Sequence, residues 1–351
     1  MHSKTYTQEE LVSVLLKMGI DDAVSVEKYG SGHINETFKV ETRAHSRFIL
    51  QRVNTDIFDV GLLKENVIRV TEHLAAKNVK SLEVAGYENP WRLYKFLEGY
   101  KSYDIVETPR QAYDVGVAFA KFQSDLADLG EPRLKEIIPD FHNTPERVRQ
   151  LDNAMAVNYC SRLGDAKDEL HFAEKYRKSA SLIVNMMKRG EIPERVTHND
   201  TKINNVLIAP DDSTVVIDLD TVMPGSALYD FGDMVRTATA ASAEDERDLS
   251  RVYSKKDCFE ALAEGYIRNA GFLTECEMRH LVFAGKLMTF EVGIRFLADF
   301  LVGDEYFHTA YPEHNLIRAR NQFKMVQSIE EQSEEYERIV QRIAASVKRE
   351  R

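Results

Sequence analysis

The sequence predicts an α+β protein of two lobes, a small antiparallel β lobe followed by a larger, mostly helical one. Three observations carry this. Short alternating runs crowd the first hundred residues, long helix-periodic segments with capping signals fill most of the rest, and no low-complexity linker separates them. At 351 residues the chain has the length of about two ordinary units.

Each element has its own signal. Thr7 caps a short helix ending at Gly19, with Glu9 and Glu10 in the first turn, where the helix dipole favours anions. Ala23–Lys28 and Glu36–Thr42 alternate as strands on either side of Tyr-Gly-Ser-Gly-His-Ile-Asn, and Arg47–Val53 follows as a third. Residues 60–78 have helical periodicity through Leu62, Leu63, Val67, Val70 and Leu74. Trp91–Leu97 reads as another strand. Thr108-Pro109 and Thr144-Pro145 each set a capping residue before a proline at the first helical position. Arg195–Thr197, Asn205–Ala209 and Val215–Leu219 read as short strands inside the helical part, the last two joined by Pro-Asp-Asp-Ser. Thr274 and Glu277 have capping-box spacing ahead of the apolar 278–302 segment, and the chain from Pro312 onward is charged and helix-periodic. The division is expected near residue 98, giving lobes 1–98 and 99–351.

Composition narrows the function. With 43% apolar and 29% charged residues the chain is ordinary globular protein, which excludes disordered and fibrous classes. A net charge of −11 disfavours broad binding to nucleic acid or anionic membrane. Cys160, Cys258 and Cys276 are scattered, so neither a disulfide framework nor a zinc site is expected. No signal pattern and no run near the ~20 apolar residues of a membrane span occurs. The expected home is the cytoplasm.

The chemistry concentrates in Val196-Thr-His-Asn-Asp-Thr-Lys-Ile-Asn-Asn-Val-Leu207. His198-x-Asp200-x4-Asn205 has the spacing of a phosphotransferase loop, in which a carboxylate takes the attacking hydroxyl's proton and an amide oxygen holds Mg²⁺. Asp200 suits the first role and Asn205 the second. Lys202 can reach the γ-phosphate of ATP, and Asp218, at the end of a returning strand, completes a hard-oxygen metal site. Asp220 reads equally as a second metal contact or a loop carboxylate. Gly30-Ser-Gly32 lies between two strands, which suits a hairpin tip over nucleotide phosphates rather than a dinucleotide fold. Neither a P-loop motif nor a zinc-protease motif is present.

These segments, with Gly32-His-Ile-Asn35, Phe48-Ile-Leu-Gln51, Tyr94-Lys-Phe96, Ile217-Asp-Leu-Asp-Thr221, Asp230-Phe-Gly-Asp233, Arg295-Phe-Leu-Ala-Asp299 and Tyr311-Pro-Glu-His-Asn-Leu316, resemble the aminoglycoside phosphotransferase/choline kinase superfamily. Within it the chain is most similar to the N-acetylhexosamine 1-kinases. The resemblance implies a protein-kinase-like two-lobed fold, ATP as co-substrate with Mg²⁺, and transfer to the anomeric hydroxyl of N-acetylglucosamine or N-acetylgalactosamine. It implies Asp200 as base, Asn205 and Asp218 on the metal, and sugar contacts from His33, Arg295 and Tyr306 alongside Asp200. ATP contacts are expected from Gly30, Gly32, Lys202 and the hinge segment Phe96 to Glu98. The strand that normally carries the phosphate-binding lysine here offers Gln51 or Arg52, depending on register. Other readings are a kinase of another small alcohol (aminoglycoside, choline, methylthioribose or homoserine) and a non-catalytic binding module, against which the intact Asp200, Lys202, Asn205 and Asp218 set argues.

Overall fold

The computed structural model describes residues 6–30 and 34–350. Its first lobe is a five-stranded antiparallel sheet flanked by two helices. Helix α1 (Gln8–Lys17) is capped by Thr7, whose side chain accepts from the Glu10 amide while Glu10 reaches back to Thr7, a complete capping box. Strands β1 (Ala23–Lys28), β2 (Glu36–Thr42) and β3 (Arg47–Arg52) follow, then helix α2 (Val60–Ala76), β4 (Val84–Glu88) and β5 (Trp91–Lys95). The strand order is β1-β2-β3-β5-β4. One face, carrying Val40, Leu50, Leu93 and Trp91, buries Leu11 and Leu15 of α1. The opposite face packs Ile49 and Tyr94 against Val67, Val70 and Leu74 of α2, within a core that runs without a break into the second lobe.

The second lobe is helical. It holds α3 (Pro109–Asp125), α4 (Thr144–Val157), α5 (Lys167–Tyr176), α6 (Leu182–Lys188), α7 (Ala227–Ala238), α8 (Lys256–Asn269), α9 (Glu275–Val302), α10 (His314–Glu331) and α11 (Ser333–Glu350). Two short ribbons sit between α6 and α7: β6 (Arg195–Thr197) pairs with β9 (Met223–Gly225), and β7 (Val206–Ile208) pairs with β8 (Thr214–Val216). Thr274 and Glu277 form the expected capping box on α9, and the buried Glu277 also takes two bonds from Arg195 at 3.0 and 2.9 Å, tying α9 to β6. Among the described residues no helix is long and apolar enough to cross a membrane.

The structure departs from the sequence reading in detail. Strand β4 was not anticipated, because Val-Ala-Gly-Tyr-Glu carries a glycine and a register shift that erase its alternation. Helix α4 is capped by Asn143 rather than Thr144: the Asn143 side chain accepts from the Glu146 amide, and Pro145 falls one position further in. The Thr144 hydroxyl instead donates to Glu291 on α9.

Helices α3 and α8 cross backbone to backbone. A Cβ on Gly116 would run into the Leu262 carbonyl, and one on Gly265 into the Tyr113 carbonyl. Gly116→Ala is therefore expected to lower the unfolding free energy by about 1–3 kcal/mol in denaturant titrations. Unchanged stability would contradict the close crossing.

Candidate functional site

The loop 198–205 leaves β6 and returns into β7 beneath the cleft between the lobes. It has no sheet partner for its amides, so they bond elsewhere. Asp230, in the first turn of α7, accepts from the His198 amide at 2.9 Å, the Asn199 amide at 2.7 Å and Gln123 Nε2 at 2.6 Å. Burial pushes the Asp230 carboxyl up from its ordinary range, and these bonds oppose the push. Asp233, one turn on, accepts from the Thr201 amide at 2.9 Å. Asn199 is left-handed at φ +64°, a strained state that its side chain supports by donating to the Thr221 carbonyl at 2.9 Å. Gly225 lies directly opposite, where a Cβ would clash with Thr197 and Asn199. His198 is wholly buried against Phe119 and Phe122, and its Nε2 donates to the Ile217 carbonyl at 2.9 Å, which fixes the loop to the end of β8.

This frame brings four sequence-predicted residues together. Asp200 Oδ2 lies 3.0 Å from Lys202 Nζ. Asn205 Nδ2 donates to the Asp200 carbonyl at 2.8 Å and to its carboxylate at 2.9 Å. Burial pushes the Asp200 carboxyl up, but Lys202, His198 and the Asn205 bond outweigh it and hold the group below its ordinary range. Asp200 holds Lys202 well above the ordinary ammonium range in return, with Asp218 adding to the effect. Asp218 is itself left-handed at φ +58°. Burial and the charges of Asp220 and Asp200 push its carboxyl up to about 6.

The donor set fits a divalent cation. Among the described residues Asp218 has no hydrogen-bond or ion-pair partner, and the Asn205 amide, committed through Nδ2 to Asp200, keeps Oδ1 open. A repelled carboxylate and an amide oxygen are hard donors of the kind Mg²⁺ takes alongside substrate phosphates. No three His, Cys, Asp or Glu side chains among the described residues form a ready-made metal cage.

The first lobe answers the register question. Gln51 stands opposite Thr37 and Arg92 on the cleft face, whereas Arg52 stands opposite Glu36 and Trp91 on the α1 face. Gln51 Nε2 donates to Thr37 Oγ1 at 3.1 Å, and its Oε1 accepts from Arg92 Nε at 3.0 Å. Of the cations on this face, Lys39 pairs with Glu41 and Arg47 with Glu41 and Glu98, and Arg92, which the sequence reading missed, is the one that stands beside Gln51. It is 1% exposed, and its Nη1 donates to Asp220 across the cleft. Asn35 Nδ2 donates to the other Asp220 oxygen at 2.6 Å. Asp220 is therefore an interlobe anchor, held from the first lobe by two residues. Gly30, two residues after β1, has φ +79°, while Gly32 and His33 lie outside the described residues. Phe96 gives its amide to the Arg47 carbonyl at 3.0 Å and its ring to Tyr29, and the exposed Glu98 pairs with Arg47 at 3.0 Å.

Arg295 and Tyr306 adjoin each other, though no contact joins them to Asp200 directly. The Arg295 guanidinium lies 5.4 Å from the Phe141 ring centre, 5.5 Å from that of Phe307 and 5.9 Å from that of Tyr306, with no ion pair or hydrogen bond among the described residues. The Tyr306 loop is pinned by Asp299, one turn after Arg295 on α9, which accepts from the amides of Glu305, Tyr306 and Phe307 at 2.8–3.0 Å. Arg147 sits close by, pushed below its ordinary range by burial and then by the charge of Arg295. On the α10 side of the loop, Lys202, Asn204, Thr237, Glu244, Asn321 and Gln322 border a cavity of about 170 Å³. The buried Gln322 Oε1 has no partner there.

Comparison with known proteins gives a consistent picture. Residues 25–266 match the phosphotransferase enzyme family (APH). An ethanolamine kinase of Plasmodium vivax superposes with a TM-score of 0.59 at 16% identity, over 90% of this chain and 86% of that one. An aminoglycoside phosphotransferase of Alicyclobacillus acidocaldarius gives 0.57 at 13% identity, over 99% and 98%. An amicoumacin kinase in complex with AMP-PNP and Ca²⁺ gives 0.57 at 11% identity, over 91% and 93%. At such identities the likeness establishes the two-lobed kinase fold.

The raised Asp218 carboxyl makes a signed prediction. Asp218 binds its proton more tightly folded than unfolded, so its contribution to stability is complete below about pH 4 and is lost as pH rises through about 6. In chelator, Asp218→Asn is expected to melt higher than wild type at pH 7.5, with the difference shrinking toward pH 4. A difference independent of pH would contradict the crowding of carboxylates.

Proposed function

The chain belongs to the phosphotransferase enzyme family, and on that premise we propose that it is a small-molecule kinase transferring the γ-phosphoryl group of ATP to O1 of N-acetylglucosamine or N-acetylgalactosamine. The observation that carries the reading is the Asp200 carboxylate, kept ionised by Lys202 and Asn205 at 3.0 and 2.9 Å on a loop fixed by buried carboxylates. Asp200 takes the proton of the attacking hydroxyl. Lys202 offsets charge on the transferring group. Asn205 and Asp218 would hold Mg²⁺, which supplies neutralisation of the phosphate oxygens. Gly30 and Gln51 are assigned to the phosphate side of the nucleotide, with Gly32 by the family resemblance alone, and the segment from Phe96 to Glu98 to the base. The lobes are assigned as 1–98 and 99–351.

For the acceptor, the support is Arg295 among Phe141, Tyr306 and Phe307; His33 is added by the family resemblance alone and lies outside the described residues. Aromatic faces suit the apolar face of a sugar ring, and an unpaired guanidinium suits its oxygens. Kinases of choline and of aminoglycosides are the alternative reading. The cations of those acceptors call for an aromatic cage or an acidic wall, and among these rings stands the protein's own cation, Arg295, with Arg147 beside it. The sugar oxygen is the nucleophile, so its bond to the anomeric carbon survives and the bound α configuration is retained.

³¹P and ¹H NMR of the product from ATP, Mg²⁺ and N-acetylglucosamine is expected to show the α-1-phosphate. Phosphate on O6, or equal turnover of the methyl glycoside, would defeat the assignment. Asp200→Asn is expected to lose about 10²–10⁴-fold in kcat while still binding ATP. Turnover within a few-fold of wild type would remove Asp200 as the base.

A further inference from the structure

A buried polar relay lies behind the loop and takes no part in the chemistry so far described. His142, just before α4, is 9% exposed, and Glu291, midway along α9, is wholly buried. His142 Nδ1 lies 2.8 Å from Glu291 Oε1, and His142 Nε2 lies 2.8 Å from the carbonyl oxygen of Asn199. The second carboxylate oxygen of Glu291 accepts from Thr144 Oγ1 at 2.5 Å. Burial pushes the Glu291 carboxyl up, but His142 and Thr144 outweigh it, so the group stays ionised and below its ordinary range. Each ring nitrogen faces an oxygen, Glu291 Oε1 on one side and the Asn199 carbonyl on the other.

A buried ion pair is a weak source of net stability, because desolvation consumes most of the attraction. Packing alone would be served as well by two apolar side chains. What apolar side chains cannot do is hold one particular carbonyl. The carbonyl held here belongs to Asn199, the left-handed residue immediately before Asp200. Asp230 fixes the amide of Asn199 and Thr221 fixes its side chain, so His142 supplies the third restraint on that residue. The other end of the relay reaches the Arg295 cluster. Phe141, adjacent in the chain to His142, stacks under Arg295, and Arg295 stands one helical turn beyond Glu291 on α9.

We propose that His142 and Glu291 are positioning residues for phosphoryl transfer: they clamp the Asn199 carbonyl and set Asp200 in register with an acceptor held at Phe141, Arg295 and Tyr306. The acceptor's place in this statement rests on the reading given under Proposed function; the clamp on the loop does not. Asp200 is the group that meets the acceptor. His142 and Glu291 act through it.

The test uses the full chain in three forms: wild type, Glu291→Gln, and the double variant His142→Phe with Glu291→Leu. In Glu291→Gln the amide can donate to Nδ1 while the neutral ring still donates from Nε2 to Asn199, so kcat is expected to stay within a few-fold of wild type. The apolar double variant is expected to fold, to bind ATP with unchanged affinity, and to lose about 10- to 100-fold in kcat. Amide hydrogen exchange in 198–202 is expected to accelerate in the double variant while α4 and α9 stay protected. Wild-type kcat in the double variant, an equal loss in Glu291→Gln, or failure of the double variant to fold would overturn the positioning role. If wild type phosphorylates no N-acetylhexosamine, the substrate reading fails by itself. The exchange rates of 198–202 then decide the clamp, with unchanged rates counting against it.

Discussion

The site depends on Asp230. A loop that must expose a carboxylate to a cleft has no regular partner for its own amides, and buried unpaired N–H groups are costly. One carboxylate, wholly buried in the first turn of α7, accepts the His198 and Asn199 amides together with Gln123. It thereby supports the left-handed Asn199 that turns Asp200 out of the loop. Helix α7 is in turn fixed where Gly232 meets the Ala284 carbonyl of α9, a contact that admits no side chain. The chain thus builds rigidity from beneath, and the Asp200 carboxylate is the last member of the stack.

Charge balance explains the rest of the cleft. Among the described residues Lys202 and Arg92 lie beside Asp200, Asp218 and Asp220, and both are already engaged. Lys202 answers Asp200. Arg92 answers Asp220, and with Asn35 it ties the first lobe to the second. Asp218 is left over, pushed up to about 6 by its neighbours. A surplus carboxylate beside an open amide oxygen is a pair of hard donors that a divalent cation would take. At the Arg295 cluster two guanidiniums, Arg295 and Arg147, both lie within reach of the buried Glu291 carboxylate.

How much of this was legible in the sequence follows from how local each signal is. That Asp200, Lys202, Asn205 and Asp218 would be neighbours was legible because three of them share one short loop and the fourth follows the strand that returns beside it. Capping at Thr7, Thr108 and Thr274 was legible from local signals too. Arg92 was not, since its meaning comes from standing beside Gln51 in a sheet whose strand order skips β4. The choice between Gln51 and Arg52 needed that same register. Asn143 displaced Thr144 as a cap because a distant carboxylate, Glu291, engages the threonine hydroxyl. His142 and Glu291 meet across 149 positions of chain, and nothing local announces the pair.

A crystal structure of the protein with Mg²⁺, a non-hydrolysable ATP analogue and N-acetylglucosamine would show where the sugar O1 and the metal sit. The predicted result has the sugar O1 within about 2.6–3.2 Å of the Asp200 carboxylate, the metal on Asn205 Oδ1 and Asp218, and the ring against Arg295 and Tyr306. A sugar presenting another hydroxyl to Asp200, or a metal bound away from Asn205 and Asp218, would contradict it.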